Sequence, residues 1–268
     1  MLRFLRAATA VGLLVTICSG AGFVHNENFV VLTDPVLAAT SPTEYATLVL
    51  AKAEEYRKKI ALEWFGEELP PGIGRTTINV RYAPDRDSAL TWAVDHPDRK
   101  LHTVYLYTKD GNSTASTLAH EIAHVVLATQ FPHPHRLPAW VEEGIASQYD
   151  DAERQRTRRS VMRYFARQEA WPSVESVLLA DNIAAENTRS YAVAVSLTEM
   201  LLSKGGKRTL LDFGRAASRE GVQPALARFY RLQEVAQLQT QWQDWAAQLA
   251  GRETQLSQVD APPRTYGQ

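Results

Sequence analysis

The sequence predicts an α+β protein, with a small sheet in its N-terminal part and a helical C-terminal half, and three observations carry that expectation. A short buried-strand pattern at residues 28–33 (NFVVLT) and alternating segments at 78–82 (INVRY) and 101–107 (LHTVYLY) all fall before residue 110. From residue 113 onward, apolar residues recur at helical spacing almost without interruption. The composition, 45% hydrophobic and 22% charged, is that of a chain that folds around a core rather than a disordered one.

The first residues differ in kind from the rest. Arg3 and Arg6 make a positive start, residues 7–17 are an apolar run, and Cys18, Ser19, Gly20 and Ala21 supply the small residues that a signal peptidase needs. Residues 1–21 therefore read as a secretory signal cut after Gly20 or Ala21, which places the protein in the periplasm or outside the cell. An uncleaved anchor through residues 7–24 is the alternative, because no formal charge stands between Arg6 and Glu27. Removing the signal takes away Arg3 and Arg6 and no acid, lowering 29 basic residues to 27 against 30 acidic ones. It also removes the single cysteine, so an exported chain has no disulfide and no thiolate chemistry.

After the 28–33 strand, residues 35–42 are a breaker-rich link. Ser41 or Thr43 caps a helix on which Tyr45, Leu48, Val49, Ala53, Tyr56, Ile60 and Trp64 recur at helical spacing, and Gly66 ends it before Pro70-Pro71-Gly72. Residues 78–82 alternate as a strand and 87–94 are ambiguous. In the 101–107 strand, Leu101, Thr103, Tyr105 and Tyr107 share one side, with His102, Val104 and Leu106 on the other. Ser113 or Thr114 caps a helix that runs through Gln130, residues 132–138 form a loop, and a second helix begins near Pro138 or Ala139. Further helices are expected at 151–170, 188–203, 208–219, 223–230 and 233–249, with 251–268 as a flexible tail. There is no internal repeat.

Net charge is −1 and no block of like charges occurs, so the electrostatic footprint of a nucleic-acid binder is missing. Arg154, Arg156, Arg158 and Arg159 follow Asp150, Asp151 and Glu153 directly, and read as a solvated, self-paired helix face.

The chemistry centres on His120-Glu121-Ile122-Ala123-His124. Histidines four apart on a helix project from one face on consecutive turns and can bind a single ion, leaving Glu121 beside the open coordination position. Leu118, Ala119, Ile122, Ala123, Val125, Val126 and Leu127 make this helix apolar nearly all round, so it is expected to be buried. A buried helix with two imidazoles and a carboxylate but no ion would carry uncompensated polar groups. A catalytic zinc needs a third protein ligand, and residues 140–146 (WVEEGIA) offer two, Glu142 and Glu143, on the next helix. His133 and His135, on the intervening loop, read as exposed or at most at the rim of a cleft, and His25, His96 and His102 fit no pattern.

HEIAH followed after eighteen residues by the second glutamate of WVEEGIA resembles the gluzincin metallopeptidases, the group that contains thermolysin and aminopeptidase N. Within that group the chain is most similar to the peptidase MA-like proteins exported by bacteria, over about residues 28–249. The resemblance implies a zincin-like domain at residues 25–250, with an α/β part at 25–130 and a helical part at 131–250. It implies one Zn2+ per chain held by His120, His124 and Glu143, and it selects Glu143 over Glu142. It makes Glu121 the general base, taking a proton from the attacking water and passing it to the leaving amine. Tyr191, in SYAVA, stands in order where similar enzymes place an oxyanion stabiliser, and it equally suits a core position on an amphipathic helix. One departure is plain: 101–110 lacks the Gly-x-Met-Glu-Asn type segment that holds a free amine in aminopeptidases, which favours an endopeptidase. The 101–107 strand is expected to accept an extended peptide as an edge. Expected partners are a peptide or protein substrate, with no nucleic acid, and a membrane only if the N-terminal segment is kept. A zinc hydrolase of other substrates and a noncatalytic, zinc-stabilised scaffold share the same ligands.

Overall fold

The computed structural model describes residues 21–34, 41–72, 75–84, 88–96, 99–109, 115–184 and 186–259. The proposed signal at 1–20, the cap candidates Ser113 and Thr114 and the end of the tail at 260–268 lie outside them. Five strands form one sheet: β1 (Gly22–His25), β2 (Phe29–Thr33), β3 (Thr76–Tyr82), β4 (Ser88–His96) and β5 (Arg99–Thr108). Their order is β1-β2-β3-β5-β4, with β2, β3 and β5 parallel and the outer strands β1 and β4 antiparallel to their neighbours. Two strands are additions to the expectation: β1, which takes Gly22 to Val24 out of the stretch considered as an anchor, and β4, which resolves the ambiguous 87–94 region.

One face of this sheet is covered. Phe29, Val31, Ile78, Val80, Val104 and Leu106 alternate inward and are almost fully buried. Against them pack α1 (Pro42–Phe65) and α2 (Ser116–Gln130). Proline at the first helical position starts α1, and Gly66 at φ 78 ends it in the left-handed conformation that glycine adopts without penalty. Tyr45, Val49, Ala53, Ile60 and Trp64 make its buried stripe, and Arg57 donates to the carbonyls of Leu69 and Pro70 at 2.8 and 2.9 Å, pinning the loop that follows.

The 101–107 segment does form a strand with the expected faces, but it is not an edge. β5 has β3 on one side and β4 on the other, so among the described residues the edge strands are β1 and β4, and the edge nearest β5 belongs to β4. Strand order is set by tertiary pairing and leaves no local trace in a sequence.

The second half is helical: α3 (Ala139–Ala146), a 3-10 turn at Ser147–Tyr149, α4 (Ala152–Gln168), α5 (Val174–Leu178), α6 (Thr188–Glu220), α7 (Val222–Tyr230) and α8 (Val235–Val259). The short α5 is a further addition. Residues 188–203 and 208–219 form the two arms of α6, joined at Gly206, whose φ of 73 and ψ of 179 leave helical geometry. The first arm packs on α3, where Thr198 faces Gly144. The second arm lies on the 131–138 loop: the Ser218 hydroxyl donates to the Arg136 carbonyl, and Gly214 faces Leu137. The last helix continues through Val259, into the stretch expected to be a flexible tail. No helix among the described residues is long and apolar enough to cross a membrane.

Glycine 144 is required by packing. A Cβ there would collide with the Thr198 side chain, which is fully buried. Alanine gains about 1 kcal/mol of helix propensity, whereas overfilling a packed interior typically costs about 1–3 kcal/mol. Gly144→Ala is therefore expected to lower the unfolding free energy by up to about 2 kcal/mol in a urea titration, with part recovered in the Gly144→Ala, Thr198→Ala double variant.

Candidate metal centre

Helix α2 is buried over most of its circumference, as its apolar flanks require, with Leu118, Ile122, Ala123, Val126 and Leu127 inaccessible to solvent. His120 and His124 project from one face with ring centroids 5.0 Å apart. The 131–138 loop reverses the chain and α3 returns alongside α2, held close by the Gly144 and Thr198 approach. Its register gives the two adjacent glutamates different partners. Glu143 turns to the imidazoles, its Oε2 lying 3.5 Å from His120 Nε2 and 3.6 Å from His124 Nε2. Glu142 is turned to Arg136, whose Nη2 reaches it at 3.0 Å.

The two Nε2 atoms are 3.3 Å apart. His120, His124 and Glu143 thus form a group whose ligand atoms all lie within 4.8 Å of one another. A tetrahedral ion with bonds of about 2.0–2.2 Å requires ligand-to-ligand edges of roughly 3.3–3.6 Å. All three measured edges fall in that range, so one divalent cation fits without moving a ligand.

Sequence reasoning did not single out Asp150. It follows the 3-10 turn, and that turn is tied to α1 by Trp64 Nε1 donating to the Tyr149 hydroxyl at 2.9 Å. Asp150 Oδ1 lies 3.2 Å from His120 Nδ1, a charge contact rather than a well-aligned hydrogen bond, and Oδ2 lies 2.8 Å from Arg158 Nη1. The basic cluster is accordingly not a solvated face throughout: Arg158 and Asp150 are buried, while Arg156 and Arg159 are exposed. Asp151 caps α4 by accepting from the Arg154 amide. A carboxylate behind a ligating imidazole fixes the ring and raises its basicity, and it has no sequence pattern because the contact is made across a turn.

Glu121 stands out of the ligand group. Its Oε2 accepts a 2.5 Å hydrogen bond from Thr91 Oγ1 on β4, another residue the sequence did not flag. Tyr191, in the first turn of α6, brings its hydroxyl 3.3 Å from His120 Nε2 and donates to Glu143 Oε2, so it belongs to the site and not only to the core. These residues line a cleft of about 570 Å3 that is walled by Leu90 and Thr91 of β4, Arg136 and Leu137 of the loop, and Ile183. His133 and His135 are exposed and do not line it; His25 is exposed as well.

The electrostatics are those of a site built for positive charge. Burial works against ionised imidazole, but the carboxylates of Asp150 and Glu143 outweigh it and raise His120 to about 10. Burial likewise opposes charge on His124, and the nearby Glu143 carboxylate raises it all the same. Burial favours the neutral acid at Glu143, yet the two imidazoliums hold it far below the usual carboxylate range. The Tyr191 hydroxyl is pushed well up, first by burial and then by Glu143, so it remains a donor.

Comparison of the chain with protein-family models, with curated proteins and with solved structures gives no match.

Two outcomes follow for metal binding. Imidazolium cannot ligate, so His120 must lose its proton before it binds. Apparent affinity is expected to rise about tenfold per pH unit for each proton displaced, from neutral pH up to about pH 10, and to level off above. Competition with a chelating dye across that range measures it, and a flat profile contradicts it. Asp150→Asn keeps the shape but removes the charge behind His120, and should weaken metal binding roughly 10- to 100-fold in the same assay while retaining the helical circular dichroism.

Proposed function

We propose that the chain is a zinc-dependent metallopeptidase with a zincin-like catalytic domain, similar to the gluzincins, that cleaves within exported peptides or proteins. The observation that carries this reading is the tetrahedral spacing of His120, His124 and Glu143, next to a carboxylate on the same helix that takes no part in it. Ligands of two imidazoles and one carboxylate suit Zn2+ and leave one position open. When bound, the zinc supplies Lewis acidity, making a water nucleophilic near neutral pH and polarising a carbonyl.

The chain's own groups divide the remaining work. Glu121 accepts the proton of the attacking water and returns it to the leaving nitrogen. Tyr191, kept protonated by its surroundings, donates to the oxygen on which negative charge develops. Arg136 brings a half-exposed guanidinium to the cleft, where it can donate to a substrate carbonyl. The free edge of β4 borders the cleft through Ala89, Leu90 and Thr91, and edge addition would orient an extended peptide past Glu121. This role, expected of the 101–107 strand, passes to β4. A cleft with a strand along its side favours cleavage inside a chain over trimming of an end. Export through residues 1–21 places the activity outside the cytoplasm.

A peptide-library digest with metal-loaded protein, with and without chelator, is the direct test; no chelator-sensitive cleavage of any peptide rejects the peptidase reading. Glu121→Gln is expected to lower kcat about 10²- to 10⁴-fold with metal content unchanged. Tyr191→Phe should lower kcat by about 10²-fold while KM and metal content stay near those of the parent.

A further inference from the structure

We propose that Thr91 is a positioning residue that couples the substrate-docking strand to the general base. The inference rests on the reading of Glu121 as base. The Thr91 hydroxyl donates its one proton to Glu121 Oε2 at 2.5 Å and lies 3.5 Å from the Glu121 carbonyl, so one side chain of β4 holds the carboxylate close beside the helix turn that bears it.

The strand register explains why this residue reaches. Thr91 pairs with Val104 and Ala89 with Leu106, and both partners are fully buried on the side covered by α2. Leu90, paired with Tyr105, faces the other way and is 50% exposed. Thr91 therefore points at α2 by the alternation of the strand, while the outer edge of the same strand is unpaired among the described residues.

A glutamate carries three rotatable bonds, and a base that must meet a water loses that freedom on alignment. Because Oε2 is engaged by the hydroxyl, Glu121 is held in one rotamer with Oε1 left to exchange the proton. A peptide added to β4 orders the strand through its backbone and so fixes the hydroxyl that fixes the base. Docking and base alignment become one event.

Thr91→Val keeps the shape and the strand preference and removes only the hydroxyl, so the fold has no reason to fail. The metal-loaded full chain is compared with Thr91→Val and Thr91→Ser on a cleaved peptide, and on the same peptide with a phosphinate in place of the scissile bond, whose affinity is read by calorimetry without turnover. For Thr91→Val, kcat and phosphinate affinity should fall together by on the order of tenfold to a hundredfold, with KM and metal affinity within about twofold of the parent. Thr91→Ser should restore most of both. An active parent whose Thr91→Val variant keeps its kcat and phosphinate affinity, or whose Thr91→Ser variant loses as much, overturns this inference alone. A parent that neither cleaves peptides nor binds the phosphinate overturns the peptidase reading and this one with it.

Discussion

The fold is organised by the need to neutralise charge in its interior. Two imidazoles and a carboxylate meet at tetrahedral spacing inside an otherwise apolar helix pair, where neither kind of group is tolerated alone. The apolar circumference of α2 leaves the histidines little exposed where they line the cleft, and the close seating of α3 on α6 lets Glu143 come near enough to answer them. Behind the imidazoles the compensation continues outward, from His120 to Asp150 and from Asp150 to Arg158 and Arg154. His120, Asp150 and Arg158 are buried, each balanced by the next, and half-exposed Arg154 ends the series at the surface.

The same constraint separates two kinds of carboxylate that the sequence places side by side. Glu143 has two cations' worth of partners and stays ionised. Glu142, one residue earlier, is buried against the single guanidinium of Arg136, and burial raises its pKa in spite of that partner. On α2, Glu121 is engaged by a hydroxyl rather than by an imidazole, which leaves it outside the ligand set although it adjoins His120. Adjacent positions on a helix point about 100° apart, and at this site that angle turns Glu121 away from the group that His120 joins and Glu142 away from the group that Glu143 joins.

What the sequence made readable is what local periodicity encodes. The His120 and His124 pair, the buried nature of their helix, the α1 stripe, the alternating faces of β5 and the break between the two arms of α6 are all properties of neighbours along the chain. What it hid depends on contacts made at a distance. Thr91 is thirty residues from Glu121, and a threonine in a strand has nothing to mark it. Asp150 sat beside arginines that suggested a surface pairing, yet the 3-10 turn carries it inward against His120. Strand order is of the same kind: alternation marks 101–107 as a strand and says nothing of its neighbours, so no local signal tells that β5 is interior and β4 an edge. The choice of Glu143 over Glu142 needed a family resemblance in the sequence, whereas in three dimensions the register of α3 makes it.

The bend at Gly206 has a mechanical corollary. One arm of α6 supplies Tyr191 to the lining of the cleft, and the other arm is fastened to the loop that bears Arg136, which lines it too. The two residues are thus yoked through a single bent rod. Its residues are helical on both sides of the glycine, so the relative placing of Tyr191 and Arg136 is carried through one backbone joint.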